Sequence, residues 1–280
     1  MRKNFAEVLK DNKIDIKNEY IKLYNLFNEK KFNIYASGLV SIYDIIEDEF
    51  LSFPFRETCL SIDEFNQKHN FVFVENPNPF DIDILLNFIE YIYNLLLLIS
   101  CDSSSYLRYV DLNFYFEHIE KIIDLIGYEK IYIDGVYVFV EKSPAAVAVA
   151  ESDLMPKESS YKVIFYNHHS LKGNLEGKKG IILKLAEILE GKQSDLHKAN
   201  QQLKSDLFYI FNNLNIRHNN CDKSAKEKYK KVIDEMPDDE LEAWYDETYQ
   251  MCLLAFLSIE HLERKNRFNE LKNSIETDKD

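Results

Sequence analysis

The sequence predicts a mainly α-helical fold: an antiparallel helical bundle with a small inserted β-sheet or hairpin. Two observations lead to this fold class. The 280 residues include 18 Tyr and 19 Phe but 7 Gly and 6 Pro, so packing groups are abundant and turn-forming residues are scarce. Apolar residues also recur at a helical period along most of the chain, whereas a period of two is confined to short stretches.

The N-terminal region, residues 1–78, is expected to be helical and to pack on the bundle instead of folding alone. Apolar residues at helical spacing predict helices over 14–30 and 37–51. Between the breaks around Pro54 and Pro77, the alternating run Phe71–Val74 predicts a short strand. A domain boundary is expected near Pro79.

Residues 79–270 are expected to form the bundle itself. The run from Leu85 to Ile99 has apolar residues on most sides of a helix, which is typical of a central helix in a bundle. A second helix is predicted at 107–126. Between them and the last third, the pair Asp134-Gly135 separates two β-branched runs and predicts a hairpin over 129–141. With a further strand predicted at 161–166, the β insertion covers about 130–166.

The last third of the chain returns to a helical pattern. Two amphipathic runs, at 181–189 and 196–214, could form one kinked helix. A final helix is predicted to start near Pro237, followed by acidic residues that suit a first turn. The bundle would then consist of residues 80–126 and 177–266, and the charged tail at 271–280 is expected to be frayed.

Charge and cysteine content exclude several classes of protein. The formal charge of −14 argues against whole-surface binding to a polyanion, so any nucleic-acid contact must be local. Four widely spaced cysteines indicate neither a disulfide framework nor a zinc ribbon, which favours a cytoplasmic location. The first 17 residues lack the apolar stretch of a signal peptide, and the longest uncharged run within 80–101 is too short for a bilayer. Neither secretion nor a membrane span is expected.

Two polar segments are the candidate functional sites: residues 166–170, which contain His168 and His169, and residues 211–220, which contain Arg217 and His218. The second segment lies where a long helix should end, so its side chains could line a cleft. Arginine can bind a phosphate or carboxylate through two hydrogen bonds, and histidine exchanges a proton near neutral pH.

Structural interpretations compete with the functional one at both segments. Asparagine tolerates the left-handed conformation at a helix end, and Arg217 and His218 could satisfy terminal carbonyls as an elaborate cap. Residues 166–170 could be a strand end entering a turn, with adjacent side chains on opposite faces. A metal site with His218 and Cys221 as ligands, completed by His168 or His169, is a third alternative.

Common catalytic motifs such as glycine-rich phosphate loops and His-Glu-x-x-His helices are absent from the sequence. About residues 80–270 resemble the HEPN superfamily, helical-bundle domains that process nucleic acids in abortive-infection and toxin–antitoxin systems. In that family an Arg and a His four to six residues later lie near a helix end. Here Leu214-Asn215-Ile216-Arg217-His218-Asn219 resembles the first part, whereas Asp222, Lys223 and Ser224 stand at the place of the distal His.

The resemblance implies a metal-independent endoribonuclease, or toxin-like effector, of a bacterial defence system, with no cofactor. In such an enzyme Arg217 would stabilise the charge of the phosphorane, and His218 or the pair His168 and His169 would carry protons. The resemblance also implies a homodimer, and the charge favours a structured or protein-bound RNA as substrate. The substrate-binding residues would be Asn215, Asn219, Asn220, His168 and His169.

A non-catalytic module is the alternative function. An acidic helical protein could sense a phage-derived protein, neutralise a partner as in a toxin–antitoxin pair, or scaffold an assembly, and the polar segment would then hold a loop in place. The missing distal His favours this alternative.

Overall fold

A computed structural model describes residues 14–35, 38–100 and 105–277. Within these ranges the chain forms twelve α-helices and two antiparallel sheets of two strands each, so the predicted mainly α fold with a small β component is confirmed. The chain divides into two compact units, Met1–Glu141 and Lys142–Asp280, here called unit 1 and unit 2. The boundary expected near Pro79 is therefore replaced by one at 141/142.

The described residues of unit 1 form five helices and two antiparallel pairs of strands, with short 3-10 turns at Phe50–Ser52 and Tyr106–Tyr109. Side-chain caps set several helix starts: Asp15 accepts a hydrogen bond from the amide of Asn18, and Ser41 and Asp44 form a capping box. The elements are α1 (Ile16–Asn28), β1 (Phe32–Tyr35), β2 (Gly38–Val40), α2 (Ile42–Glu49), α3 (Ile62–His69), α4 (Ile82–Ser100), α5 (Leu112–Leu125), β3 (Tyr128–Ile133) and β4 (Val136–Glu141).

Helix α4 is the centre of unit 1. The ring centroid of Phe88 lies 5.2 Å from that of Tyr20 and 6.1 Å from that of Phe27, so α1 packs directly on α4. One continuous core runs from Tyr20 to Phe139, which is why no boundary falls at Pro79. In the described residues α4 is the one helix whose length and mean hydropathy would also suit a membrane span, but 56% of that window is buried, as in a core helix of a soluble protein.

The hairpin β3–β4 matches the prediction around Asp134-Gly135. Ile133 pairs with Val136, and Asp134 (φ +49°) and Gly135 (φ +95°) form the turn in left-handed conformations that these residue types tolerate. Helix α4 covers the outer edge of β4: the Asn94 side chain donates to the carbonyl of Tyr137 and accepts from its amide, at 2.7 and 2.8 Å. These bonds satisfy the backbone N–H and C=O of Tyr137, which an exposed sheet edge would leave open to pairing with another strand.

The strand predicted at Phe71–Val74 is wrong. The segment has no strand partner, and the carbonyl of Val74 accepts a hydrogen bond from the Tyr20 hydroxyl at 2.8 Å. Its alternation is nevertheless real, because Phe71 and Phe73 pack against Tyr91 of α4 while Val72 and Val74 are exposed. An alternation of buried and exposed side chains therefore indicates an extended segment that lies on an apolar surface, but it does not indicate that the segment pairs with another strand.

Unit 2 is entirely helical in its described residues. Asn174 and Asn200 cap the starts of two of its helices. The two amphipathic runs do not form one kinked helix, because the first run ends with its helix at Glu190 and the cap at Asn200 divides the second run into two helices. The elements are α6 (Pro144–Ala150), α7 (Lys157–Phe165), α8 (Leu175–Glu190), α9 (Gln193–Ala199), α10 (Gln201–Asn213), α11 (Lys231–Asp234) and α12 (Asp238–Thr277), with 3-10 turns at His169–Leu171 and Lys223–Lys228.

The strand predicted at Tyr161–Tyr166 is also wrong, because most of this segment belongs to α7. Its aromatic and β-branched residues suit either structure, but the buried positions Ser159, Val163 and Tyr166 follow helical spacing. The β insertion expected at about 130–166 is thus reduced to the hairpin at 128–141.

Helix α12 organises unit 2 and contacts α6, α8, α9 and α10. It starts at Asp238, directly after Pro237, as predicted. Its buried face ends at Ile259, yet the helix continues to Thr277, so the frayed tail expected at 271–280 is helical as far as it is described, and 278–280 lie outside the described residues. The single bundle of 80–126 with 177–266 is wrong as well, because these segments belong to two separate cores.

Candidate functional site

Both predicted polar segments lie in unit 2, and the second one forms the turn after α10. Asn215 adopts the left-handed conformation (φ +56°) that the cap interpretation required. Its amide donates to the Asn220 side-chain oxygen at 2.8 Å, and the Asn220 amide donates to the Asn215 side-chain oxygen at 3.1 Å. The two asparagines therefore close the turn by a reciprocal pair of hydrogen bonds.

Asn220 is fully buried and fixes the turn from inside. Its side-chain amide donates to the backbone carbonyls of Asn212 and Lys228, at 3.3 and 2.7 Å, while the backbone carbonyl of Asn220 accepts from the amide of Lys230 at 2.8 Å. A buried amide with both donors used holds structure and leaves little for a substrate. Of the predicted binding residues, Asn215 and Asn220 thus serve the turn, and Asn219 is exposed.

Arg217 connects α10 to the last turn of α8. Its side chain is 15% exposed, donates to the carbonyl of Ala186 at 3.2 Å and lies 3.3 Å from the Glu190 carboxylate. The guanidinium also lies 5.2 Å from the ring centroids of Phe208 and Phe211. Arg217 is thus buried against a backbone carbonyl, as in the cap interpretation, but this carbonyl belongs to α8 and not to the end of α10.

His218 has different surroundings although it is the next residue. Its ring is partly exposed, and Nδ1 lies 3.1 Å from the ammonium of Lys228. Lys228 belongs to the segment 223–231, in which five lysines accompany one glutamate. His218 therefore faces a locally basic surface while Arg217 is directed at α8. Cys221, considered with His218 as a metal ligand, directs its thiol to the carbonyl of Ile233 at 3.8 Å.

The first polar segment is a turn after α7 and not a strand end. His168 is buried, and its Nδ1 accepts from the amide of Ser170 at 3.2 Å and lies 2.7 Å from the Ser170 hydroxyl. The rings of His168 and His169 lie side by side, 4.2 Å apart, because a 3-10 turn begins at His169. The expectation that the two side chains point to opposite faces is therefore wrong.

A buried lysine forms a cluster that the sequence did not reveal. The Lys178 side chain is 8% exposed, and its ammonium lies 2.6 Å from the Asp246 carboxylate and 2.7 Å from that of Glu242. The hydroxyl of Tyr166 donates to the same Asp246 oxygen at 2.9 Å, and the amide of Gly173 donates to Glu242 at 2.8 Å. We call Lys178, Glu242, Asp246 and Tyr166 the lysine cluster.

Charge and burial set the protonation of the lysine cluster. Burial raises the pKa of Tyr166 far above its usual value, and the neighbouring Asp246 charge adds to this, so the phenol remains a donor. Burial alone would also raise the pKa of Glu242, but hydrogen bonds from Lys178 and the Gly173 amide, with the Lys178 charge, lower it overall. Glu242 is therefore ionised at neutral pH, whereas the Tyr166 phenol is neutral. The available sequence signal was the i, i+4 spacing of Glu242 and Asp246.

A groove of about 590 Å³ opens beside the second polar segment, between α10 and the start of α12. Three apolar side chains in its wall are exposed: Tyr209 (70%), Val232 (74%) and Trp244 (44%). Lys230 and Lys231 also line it. An exposed apolar patch with a charged border is typical of an interaction site. We call this surface the tryptophan groove.

Comparison of the chain with protein-family models, with curated proteins and with solved structures gave no match. The assignment of function therefore rests on the geometry of the residues described above.

We expect Lys178→Met to destabilise the protein by roughly 2–3 kcal/mol at pH 7, because it leaves two carboxylates close together without a cation. This is below the loss of about 3–5 kcal/mol for fully buried pairs because Asp246 is half exposed. Urea unfolding at several pH values measures the effect.

The pH dependence has a defined sign. Because the pKa of Glu242 is lowered in the folded state, its stabilisation is present above the ordinary Glu pKa of about 4.3 and is lost as the pH falls through the folded value. The difference between wild type and Lys178→Met should shrink between pH 5 and 3 for this reason. Lys184→Met, on an exposed face of the same helix, is the matched control and should change stability by less than about 0.5 kcal/mol. Equal losses in both variants would contradict a role for the lysine cluster.

Proposed function

We propose that this protein is a non-catalytic interaction module, of the kind that serves bacterial abortive-infection or toxin–antitoxin systems in the cytoplasm. The observation that carries the proposal is the position of Arg217. Its guanidinium contacts the rings of Phe208 and Phe211 and is hydrogen-bonded to the α8 backbone. An arginine that stabilises a phosphorane must instead present its donors to the substrate.

The residues at the place of the distal His support the same conclusion. Asp222 accepts a hydrogen bond from the amide of Ser224 at 2.8 Å and so caps the 3-10 turn at Lys223–Lys228. These residues therefore build a loop, and none of them has an imidazole to exchange a proton near neutral pH. The polar segment holds the chain between α10 and α11 in place.

A ribonuclease remains the second candidate because of one observation. The partly exposed ring of His218 lies beside the Lys228 ammonium in a lysine-rich segment, where the phosphate of a structured or protein-bound RNA could be attracted. On this hypothesis His218 would act as the proton carrier without Arg217.

The two candidates predict opposite results for Arg217→Ala and His218→Ala. For an interaction module, Arg217→Ala should cost about 1 kcal/mol or more, because α8 and α10 lose their link. His218→Ala should leave the stability nearly unchanged, and RNA should stay intact with every variant. The measurements are thermal unfolding, cell growth and RNA integrity, with and without phage infection to supply a trigger.

Lys198→Ala is the control, since the Lys198 side chain is 63% exposed on α9 and its loss should affect neither stability nor RNA. RNA cleavage by the wild type that is lost in His218→Ala, at an unchanged melting temperature, would establish the ribonuclease instead.

The tryptophan groove is the surface on which we place a partner protein. Its exposed Tyr209, Val232 and Trp244 fit an apolar helix face, and Lys230 and Lys231 at its border favour acidic flanks on that helix. An antitoxin or a phage-derived protein with such a helix would be a suitable partner.

Trp244 is the single tryptophan of the chain and reports directly on the groove. Amphipathic helical peptides with leucine on one face and glutamate on the other should shift its emission to shorter wavelength as they cover the ring. Versions with lysine in place of glutamate should bind at least about tenfold more weakly, because they repel the two groove lysines. Fluorescence titration gives both affinities.

Val232→Asp should abolish binding of the glutamate peptides, whereas Val72→Asp should not. The two valines are equally exposed, at 74% and 73%, but Val72 lies in unit 1. Peptides that bind both variants alike, or that leave the Trp244 emission unchanged, would remove the groove from the proposal.

The end of α12 is the surface on which we place self-association. Residues 263–277 are all exposed, beyond the core of unit 2. Phe268, Leu271 and Ile275 follow the a and d spacing of a coiled coil, and each is more than half exposed. A helix end of this length is marginally stable alone in water, and pairing with a second copy would stabilise it.

Leu271→Asp should therefore convert a dimer to a monomer in light scattering at micromolar concentration, since it places two charges in the apolar seam. Asn273→Asp adds the same charge on the opposite side of the helix and should leave the dimer intact. A wild type that is monomeric at that concentration would contradict self-association through α12.

A further inference from the structure

Unit 1 contains a solvent-open pocket of about 320 Å³ that none of the arguments above uses. Seven of its twelve lining residues are aromatic, and they come from α1, α2, α4 and the extended segment after α3. The volume lies at the lower end of the range for small-molecule sites, about 300–1,000 Å³. We call it the aromatic pocket.

The aromatic rings of this pocket form one continuous group. The ring centroid of Tyr91 lies 5.1 Å from that of Phe73 and 5.4 Å from that of Phe71. The centroid of Phe27 lies 6.5 Å from that of Tyr91 and 5.9 Å from that of Tyr43. Tyr43, Phe71 and Phe73 are half-buried, so part of each side chain remains accessible. Because the face of an aromatic ring carries a negative potential, such a wall favours a cation over an anion.

Asp63 carries the one formal charge among the twelve lining residues. It is exposed in the first turn of α3, and its carboxylate accepts a hydrogen bond from the Tyr43 hydroxyl at 3.0 Å. Burial is the main cause that raises the pKa of Tyr43 and of Tyr91 above the usual tyrosine value, and the negative charge of Asp63 adds to the rise in both. The charge of Asp63 therefore acts on two phenols in the wall of the pocket.

The chemistry of the wall narrows the choice of cation. A primary ammonium is strongly hydrated and needs a hydrogen-bond acceptor for each of its three donors, which a mainly aromatic wall does not supply. A quaternary ammonium has no N–H donor, so its methyl groups can lie against aromatic rings without leaving a hydrogen bond unmade. Since no lysine or arginine is among the described lining residues, nothing there repels such a cation.

We propose that the aromatic pocket binds a small quaternary ammonium compound of the choline class. The methylated head group would lie against the aromatic rings, and the Asp63 carboxylate would supply the counter-charge at the exposed edge of the pocket. The proposal concerns unit 1 alone and does not depend on the function proposed for unit 2.

Calorimetric titration of the full chain with choline tests the proposal. The matched probe is dimethylbutanol, the neutral analogue in which a carbon atom replaces the nitrogen of choline. Choline should bind at least about tenfold more tightly than dimethylbutanol, because the charge adds attraction to the rings and to Asp63. Equal affinities would show a merely apolar pocket and would overturn the proposal. An absence of choline binding at roughly millimolar concentration would overturn it as well.

Asp63→Asn removes the charge and keeps an acceptor oxygen for the Tyr43 hydroxyl. At low ionic strength it should weaken choline binding about three- to fivefold, as expected for an exposed charge, and leave dimethylbutanol binding unchanged. Asp48→Asn removes an exposed carboxylate on α2 and should change neither affinity. Equal choline affinities in the two variants would overturn the role of Asp63.

Tyr24, a half-buried lining residue on α1, tests the rings. Tyr24→Leu keeps an apolar side chain but removes the aromatic face, so it should weaken choline binding about fivefold and dimethylbutanol binding less. Tyr24→Phe keeps the ring and should bind choline as the wild type does. Thermal unfolding of both variants verifies that they fold. Equal choline affinities in folded Tyr24→Leu and Tyr24→Phe would overturn the assignment of the site.

Discussion

The buried ammonium of Lys178 is the constraint on which the arrangement of unit 2 depends. A charge in this position must be paired, and its two carboxylate partners both lie on α12, 2.6 and 2.7 Å away. The pairing fixes α12 against α8 and places Asp246 where the Tyr166 hydroxyl can reach it. Tyr166 then stacks on Tyr249 at 3.9 Å, and the Tyr249 hydroxyl donates to the carbonyl of Val163 in α7. The paired ammonium is thus connected, through Asp246, Tyr166 and Tyr249, to the end of α7.

The same requirement explains how the most conspicuous polar segment of the sequence closes a turn. Polar groups that are taken out of water must find partners, and in the turn after α10 the partners are other groups of the protein. Asn220 bonds to the turn and to the following loop, and Arg217 bonds to α8. A polar run at a helix end is ambiguous because catalysis and loop closure use the same residue types.

Local patterns in the sequence were sufficient for elements whose signal is local. The Asp134-Gly135 turn and the start of α12 after Pro237 depend on residues within a few positions, and both were predicted. The helix at 161–166 was predicted as a strand, because its residue types suit either structure. Tertiary packing, which the local sequence does not contain, decides between the two. The left-handed conformation of Asn215 could be predicted, because it depends only on an asparagine at the end of a helix. Lys178 could not, because its partner Asp246 is 68 positions away.

Asn220 and the tryptophan groove show how the satisfaction of side-chain groups separates structure from binding. Asn220 uses both donors of its amide within the protein, so replacing it would damage the turn and reveal nothing about a ligand. In the tryptophan groove, by contrast, Tyr209, Val232 and Trp244 are large apolar side chains that remain exposed. A contiguous exposed apolar patch is costly in water unless another surface covers it. The groove, and not the polar-rich segment, is therefore the stronger candidate for an interaction surface.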